Sequence, residues 1–514
     1  MNRRFTLTAL ASSLLVGSLV LAGCASTTTS SDTGTTADLT GLSSTATAEE
    51  VLAGNEDYTT TNDDEWTMDD AVTIILDGTT ATSESDAVTV DGSTVTVTAA
   101  GTYVLSGELE GQVVVNTEEE GVVALVLDGV DISSSSSAAI NVVAADNVAV
   151  SLSGDNSLSS TGADDEANAA LFSDADLTIT GDGSLEVTST QNDGITSQDD
   201  LVVLSGNVTV TAGDDGLRGK DSLVIEGGTI SVEATGDGLK SDNEEEDTRG
   251  YVLVAGGTID LTAGDDGVQA QTDVVITGGE LTASAQDDGL KAEVYLVVAD
   301  GATTVSNSYE AAEAAFITVE GGTLDLTSSD DGINATTGTT TEGGGGGMGG
   351  DDGATVTITG GDTTIHADGD GLDSNGSATI SGGTVTVFGP ENDGNGALDV
   401  NGTLDVSGGT VLAVGSSGMA VSPGESSAQG WISASMDQTY GAGETVQVLD
   451  ASGTVIIEFE SEKQFASVVL SAAALEDGAT YTVTVDGAVA ATVTEGTAAA
   501  GGGMGGGPQQ GNRP

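Results

Sequence analysis

From Ala71 onward, branched apolar residues alternate with threonine in short runs, among them Val72-Thr73-Ile74, Val88-Thr89-Val90, Val95-Thr96-Val97 and Tyr481-Thr482-Val483-Thr484-Val485. Side chains of an extended chain point alternately to two faces, so this alternation predicts β-strands with one face in a core. β-Branched residues suit that pleated surface. No stretch of useful length carries the spacing of an amphipathic helix. The expected fold class is all-β.

The runs recur at a fixed interval, and that interval says how the strands are arranged. A glycine turn precedes a strand at Gly227-Gly228, Gly256-Gly257, Gly278-Gly279, Gly321-Gly322, Gly360-Gly361, Gly382-Gly383 and Gly408-Gly409. An Asp-Gly signal follows about ten residues later, with glycines at 194, 216, 238, 267, 289, 332, 371 and 394; the steps are 22, 22, 29, 22, 43, 39 and 23. The step of 43 conceals a degenerate unit in which Tyr309-Glu310-Ala311 stands where the Asp-Gly signal belongs. The longer steps carry an acidic excursion, Ser241 to Gly250, and a Gly-rich one, Thr336 to Gly353. Coils of about 22 residues with short strands between turns predict a parallel β-helix, a solenoid whose insertions leave at the turns. Propeller blades of roughly 40–45 residues do not fit this interval.

The boundaries follow from changes in this texture. Residues 1–24 read as a signal peptide, 25–65 as a disordered Ser/Thr-rich stalk, 66–430 as the parallel β-helix, 431–490 as a small C-terminal β cap, and 491–514 as a Gly-rich disordered tail. An open end of such a helix exposes unpaired strand edges, which is what the cap is expected to cover.

Charge adds a constraint. The chain carries 82 acidic and 9 basic residues, a formal net charge of −73. Such a field repels nucleic acid and anionic membrane, and it needs cations to offset self-repulsion. Stacking at about 4.8 Å turns the Asp-Gly signal into a file of acids. Its members are Asp193, Asp215, Asp237, Asp266, Asp288, Glu310, Asp331, Asp370 and Asp393. The position before adds Asp214, Asp265, Asp287 and Asp330, and Glu313 lies three residues beyond Glu310. Two like charges about 5 Å apart repel by roughly 0.8 kcal/mol in water and about 3 kcal/mol at an effective dielectric near 20. Hard divalent ions relieve that repulsion, and calcium takes carboxylate and carbonyl oxygens of the kind these turns present. With one histidine, and no cysteine besides Cys24, zinc and copper are disfavoured. The plainer reading is that each aspartate only shapes its turn.

Two residues beyond the Asp-Gly glycine come Arg218, Lys240, Gln269, Lys291, Glu313, Asn334 and Asp373. Scarce positive charge therefore falls beside the acid file. Either it relieves repulsion locally, or Arg218, Lys240 and Lys291 form a patch that contacts polysaccharide, with Tyr251, Tyr295 and Tyr309 as stacking partners. Lys240 or Lys291 next to calcium is also placed for proton abstraction alpha to a uronate carboxyl, the chemistry of a lyase. A structural adhesin without glycan specificity is the third reading. His366 reads as a strand-end residue, and Trp66 and Trp431 as core or cap packing. No Ser-His-Asp set, P-loop or dinucleotide fingerprint occurs.

Arg3 and Arg4 precede an apolar run ending Leu21-Ala22-Gly23-Cys24, which resembles a bacterial lipobox. That resemblance implies cleavage before Cys24, lipidation of its thiol and tethering to the outer face of the cytoplasmic membrane; an ordinary signal peptide with an incidental cysteine is the alternative. The motifs Gly101-Thr102-Tyr103-Val104-Leu105-Ser106-Gly107, Val126-Leu127-Asp128-Gly129-Val130, Asp288-Gly289-Leu290-Lys291-Ala292 and Asp331-Gly332-Ile333-Asn334-Ala335 occur in order. With Tyr309-Glu310-Ala311-Ala312-Glu313 and the Gly343–Gly350 insert, residues 70–490 resemble secreted, calcium-containing, pectate-lyase-like β-helix carbohydrate-binding proteins of cellulose-degrading and related bacteria. The resemblance implies a right-handed helix, several bound Ca2+ ions and affinity for extracellular cellulose- or pectin-like glycans. It leaves lyase activity open. Ala311 departs from the glycine of the family's pattern and puts the turn of that coil in question.

Overall fold

Each repeat lays down three strands, one for each of three ladders. In one repeat these are Leu217–Gly219, Ser222–Ile225 and Thr229–Ala234; in the next, Leu239–Ser241, Tyr251–Val254 and Thr258–Thr262. Every strand pairs in parallel with its counterpart one repeat later: Leu217 with Leu239, Leu223 with Val252, Ile230 with Ile259. The computed structural model describes residues 39–162, 166–338 and 351–498. Among them the fold is all β, with large parallel sheets of 28 and 14 strands and a four-stranded sheet near the C-terminus. The 14-stranded sheet holds the ladder that starts at the Asp-Gly signal. The expected signal sequence with Cys24, the Gly343–Gly350 insert and residues beyond 498 lie outside the described residues; the disordered tail expected from 491 is corrected at its start, where the strand Ala488–Thr494 pairs with Thr480–Val485.

Inward residues such as Val210, Val232, Leu261 and Leu281 fuse into one core running through the repeats. The turn between the second and third ladders needs a left-handed residue, and Gly228, Gly257, Gly279, Gly301, Gly322, Gly361, Gly383 and Gly409 supply it with φ between +72° and +92°. The Asp-Gly glycine serves a different need. A Cβ on Gly216 would lie 2.3 Å from Val232 Cγ1 and 2.5 Å from the Gly238 carbonyl, so close approach excludes a side chain there. Ala311 occupies that position in its repeat without loss of register, since Lys291 pairs with Glu313. The core residue in line with Val232 and Val305 is here Leu326, which is unbranched at Cβ.

The two faces of the strands are used unequally. Third-ladder strands such as Thr229–Ala234 alternate exposed and buried. Second-ladder strands such as Tyr251–Val254, Asp273–Ile276 and Tyr295–Val298 are buried throughout. Their outer face is covered by residues 39–61, a segment expected to be stalk. It carries a short helix, Ala48–Gly54, started by a capping box between Thr47 and Glu50. Ala46, Ala48 and Val51 pack on Val275, Val297, Tyr251, Tyr295 and Phe316. The disordered-stalk expectation is therefore corrected from residue 39 onward: the segment has apolar anchors and a matching apolar face to land on.

At the C-terminal end, Phe465–Ala472 pairs antiparallel with Thr410–Gly415, the last strand of the third ladder, and with Trp431–Tyr440. That pairing closes the ladder's free edge. A second core, containing Phe388, Ile432, Phe465 and Tyr481, fills the space between this pair and the four-stranded sheet.

Candidate metal centre

The acid file is built by its own backbone. Gly216 N donates to Asp237 O at 2.8 Å and Gly238 N to Asp266 O at 2.9 Å, which holds successive turns in step. The carboxylates add a second connection. Asp237 N donates to Asp215 Oδ1 at 2.9 Å, Asp266 N to Asp237 Oδ1 at 2.9 Å and Asp288 N to Asp266 Oδ1 at 2.8 Å. Glu310 N on Asp288 Oδ1 and Asp370 N on Asp331 Oδ1 continue it. Each of these acids spends one oxygen on the repeat that follows. The other faces outward.

Those outward oxygens meet the basic residues. Lys240 Nζ lies 3.1 Å from Asp215 Oδ2 and 2.7 Å from Asp237 Oδ2, bridging two repeats. Lys291 Nζ does the same at 3.8 Å from Asp266 Oδ2 and 3.0 Å from Asp288 Oδ2. Arg218 reaches Asp193 at 3.9 Å and Asp242 at 2.8 Å. Burial on its own would release the lysine protons, but the facing aspartates outweigh it and hold both ammonium groups above the usual lysine range. The carboxyls respond oppositely. Burial first, then neighbouring acids, pushes Asp193 up to about 7, Asp331 to about 7 and Asp373 to about 8. Burial also pushes Asp266 up to about 8 despite Lys291.

Within the outward row the built-in cations end at Lys291. Beyond it the outward row reads Glu313, Asn334, Asp373 and Asp399. Carboxylate oxygens lie within 4.8 Å of one another in the groups Asp193–Asp214–Asp215, Asp237–Asp265–Asp266, Asp266–Asp287–Asp288 and Asp288–Glu310–Glu313. Two buried amide oxygens of the outward row, Gln269 Oε1 and Asn334 Oδ1, have no hydrogen-bond donor. Clustered carboxylates together with acceptors that lack a donor form an oxygen-only donor set, which fits a hard cation such as calcium.

Of the expected ligands, Asp193, Asp214, Asp215, Asp237, Asp265, Asp266, Asp287, Asp288, Glu310 and Glu313 come together in these groups. Asp331 and Asp370 extend the file, with Asp330 beside them, outside any such group. Asp393 does not belong to it. Leu372 pairs with Leu398, which places Gly396 at the acid position and leaves Asp393 exposed in a longer turn. Tyr251 and Tyr295 are also corrected as sugar-facing residues: both are buried, and their hydroxyls donate to the carbonyls of Glu56 and Ser43. Tyr309 is 48% exposed and stands in the outer acid row between Asp287 and Asp330.

A further acid group was missed, Asp176–Asp199–Asp200 at the start of the second ladder. Asp200 Oδ2 accepts from Thr59 N at 2.8 Å, and Arg249 pairs with Asp199, Asp221 and Glu56. Its sequence signal is an acid just before an apolar run, as in Asp176-Leu177 and Asp200-Leu201.

The family profile described as "Carbohydrate-binding domain-containing protein" matches residues 91–346 and 283–417. A protein of that description from Acetivibrio thermocellus is 37% identical over 125 residues, covering 22% of this chain and 44% of the relative. The chain thus spans under half of that relative's length. A solved structure titled as the polysaccharide lyase-like protein from C. thermocellum, gadolinium derivative, is similar at 34% identity with a TM-score of 0.42, covering 45% of this chain and 97% of that one.

Proposed function

Since this chain belongs to the carbohydrate-binding domain-containing protein family, we propose that it binds extracellular polysaccharide, cellulose- or pectin-like, on a calcium-stapled, right-handed parallel β-helix tethered to the membrane through Cys24. The observation that carries the reading is the register of the acid file, which brings carboxylates from successive repeats within 4.8 Å in a family of glycan binders. In-register parallel pairing at every repeat supports the helix.

Asp193 with Asp214 and Asp215, Asp237 with Asp265 and Asp266, and Asp288 with Glu310 and Glu313 would hold calcium. When bound, the ion supplies positive charge and coordination positions for sugar oxygens. The chain's own residues do the rest. The oxygens turned to the backbone fix the spacing of the repeats, Lys240 and Lys291 neutralise the acids they bridge, and the outward row presents hydrogen-bonding groups along a straight track. The lyase reading needs a neutral lysine base, and with no metal among them the facing acids hold Lys240 and Lys291 protonated.

A pull-down of the full chain on insoluble cellulose, pectate gel and chitin, with calcium or with chelator, tests the proposal. Retention on at least one polymer in calcium, reduced by chelator, is expected. Failure on all of them overturns the proposal and favours the adhesin reading.

A further inference from the structure

The segment over the second ladder leaves a recess of about 580 Å³ between itself and the repeats beneath, within the size range of small-molecule sites. Leu42, Ala46 and Val51 from above and Val294 and Tyr295 from below give it apolar walls. The upper wall is held in place, since Tyr295 Oη donates to Ser43 O at 3.0 Å and Thr355 Oγ1 to Ser44 O at 2.6 Å. Every charged group in the lining is acidic: Asp273, which is 4% exposed, and Glu50 and Asp247, which are exposed. Asp273 stands in one file with Asp200, through Ser222 and Tyr251. The two acids are treated differently. Asp200 accepts from Thr59 N and from Ser222 Oγ, both at 2.8 Å, and lies in the field of Arg249. Asp273 accepts from Tyr295 N at 3.2 Å and faces the Asn55 amide, and no lysine or arginine among the described residues acts on it. A buried acid without a cation costs stability, and here the chain itself supplies no relief.

We propose that this recess is a binding site for a small aliphatic diamine, one ammonium pairing with Asp273, the methylene chain lying against Leu42, Val51 and Val294, and the second ammonium meeting Glu50 and Asp247 at the mouth. The site is separate from the acid file, which belongs to the first ladder, while Asp273 opens a strand of the second. Ionised carboxylates only accept hydrogen bonds, and an ammonium brings three donors with the missing charge. The pairing is strongest at Asp273, where burial has already removed the competing water. A metal ion suits the recess poorly: calcium takes six to eight oxygens, and Asp273 belongs to none of the close carboxylate groups. An inorganic cation would also leave the apolar walls uncovered, whereas a methylene chain covers them.

The test is calorimetric titration of the full chain with pentane-1,5-diamine and with pentane-1,5-diol, for wild type, Asp273→Asn and Leu42→Ser. Calcium is present throughout, and physiological ionic strength screens exposed acids beyond about 8 Å, which suppresses loose association of the diamine with the acidic surface. Wild type is expected to take up the diamine saturably, one per chain, and to ignore the diol. Asp273→Asn should lose roughly tenfold or more in affinity, the loss of a charge-assisted contact. It removes a buried charge, so its thermal midpoint should not fall below that of wild type. Leu42→Ser, at a position 43% exposed, should lose about threefold through the apolar wall. Equal affinity in wild type and Asp273→Asn overturns the proposal by placing the diamine elsewhere on the surface. So does a diol that binds as well as the diamine, or the absence of saturable binding. An unchanged affinity in Leu42→Ser overturns the placement of the methylene chain.

Discussion

Each aspartate of the file divides its two oxygens between tasks. Asp237 Oδ1 accepts the amide of Asp266, while Oδ2 meets Lys240. The lysine is therefore a counterion covalently built into the stack, standing where a free cation would otherwise relieve the acids. Lys240→Met keeps the length of the side chain and removes the charge, leaving Asp215 and Asp237 buried without it. A loss on the order of 1–3 kcal/mol in chelator is expected from urea denaturation. Calcium should recover part of it. An identical loss with and without calcium would mean that the ammonium and the metal do not compete for the same oxygens.

Among the elements, the segment over the second ladder bears on stability through the acid it covers. It seals Asp273, whose carboxyl is pushed by burial from the ordinary 3.8 up to about 7. A raised folded-state pKa favours folding while the group is protonated. That contribution is whole below the ordinary value, declines as pH rises, and is gone above about 7. Asp273→Asn should therefore raise stability at pH 8, on the order of 2–4 kcal/mol, with the gain shrinking toward pH 4. A gain independent of pH would place its origin elsewhere. The strands beneath this segment carried a legible sign of cover: Tyr251–Val254 and Tyr295–Val298 are apolar on both faces, as buried parallel strands are. The cover itself was harder to read. Seven helical residues amid Ser, Thr, Gly and Ala are marginal alone, and packing on Tyr251 and Tyr295 is what stabilises them. The acid file was legible because spacing in sequence becomes stacking in space. Asp393 was misplaced because a longer turn hides the shift. The backbone-facing role of Oδ1 was not legible, since no residue pattern records which carboxylate oxygen turns inward.

For the folded unit as a whole, a chain with a formal charge of −73 must compensate most of it with species from solution. A site held at a hundred times its Kd adds about 2.7 kcal/mol, and several in one cooperative unit add together. Chelation is expected to lower the thermal midpoint substantially, and calcium to restore it while magnesium, which demands tighter octahedral geometry, restores less. A midpoint indifferent to chelator would remove calcium from the account. The same file has a direction. Every inward oxygen is lent to the repeat that comes later in the chain, never to the earlier one, so a polypeptide threading out of a narrow exit N-terminus first finds its next docking point already assembled. Assembly from the N-terminal end is the order this polarity favours, with the strand pair Trp431–Tyr440 and Phe465–Ala472 closing the other end.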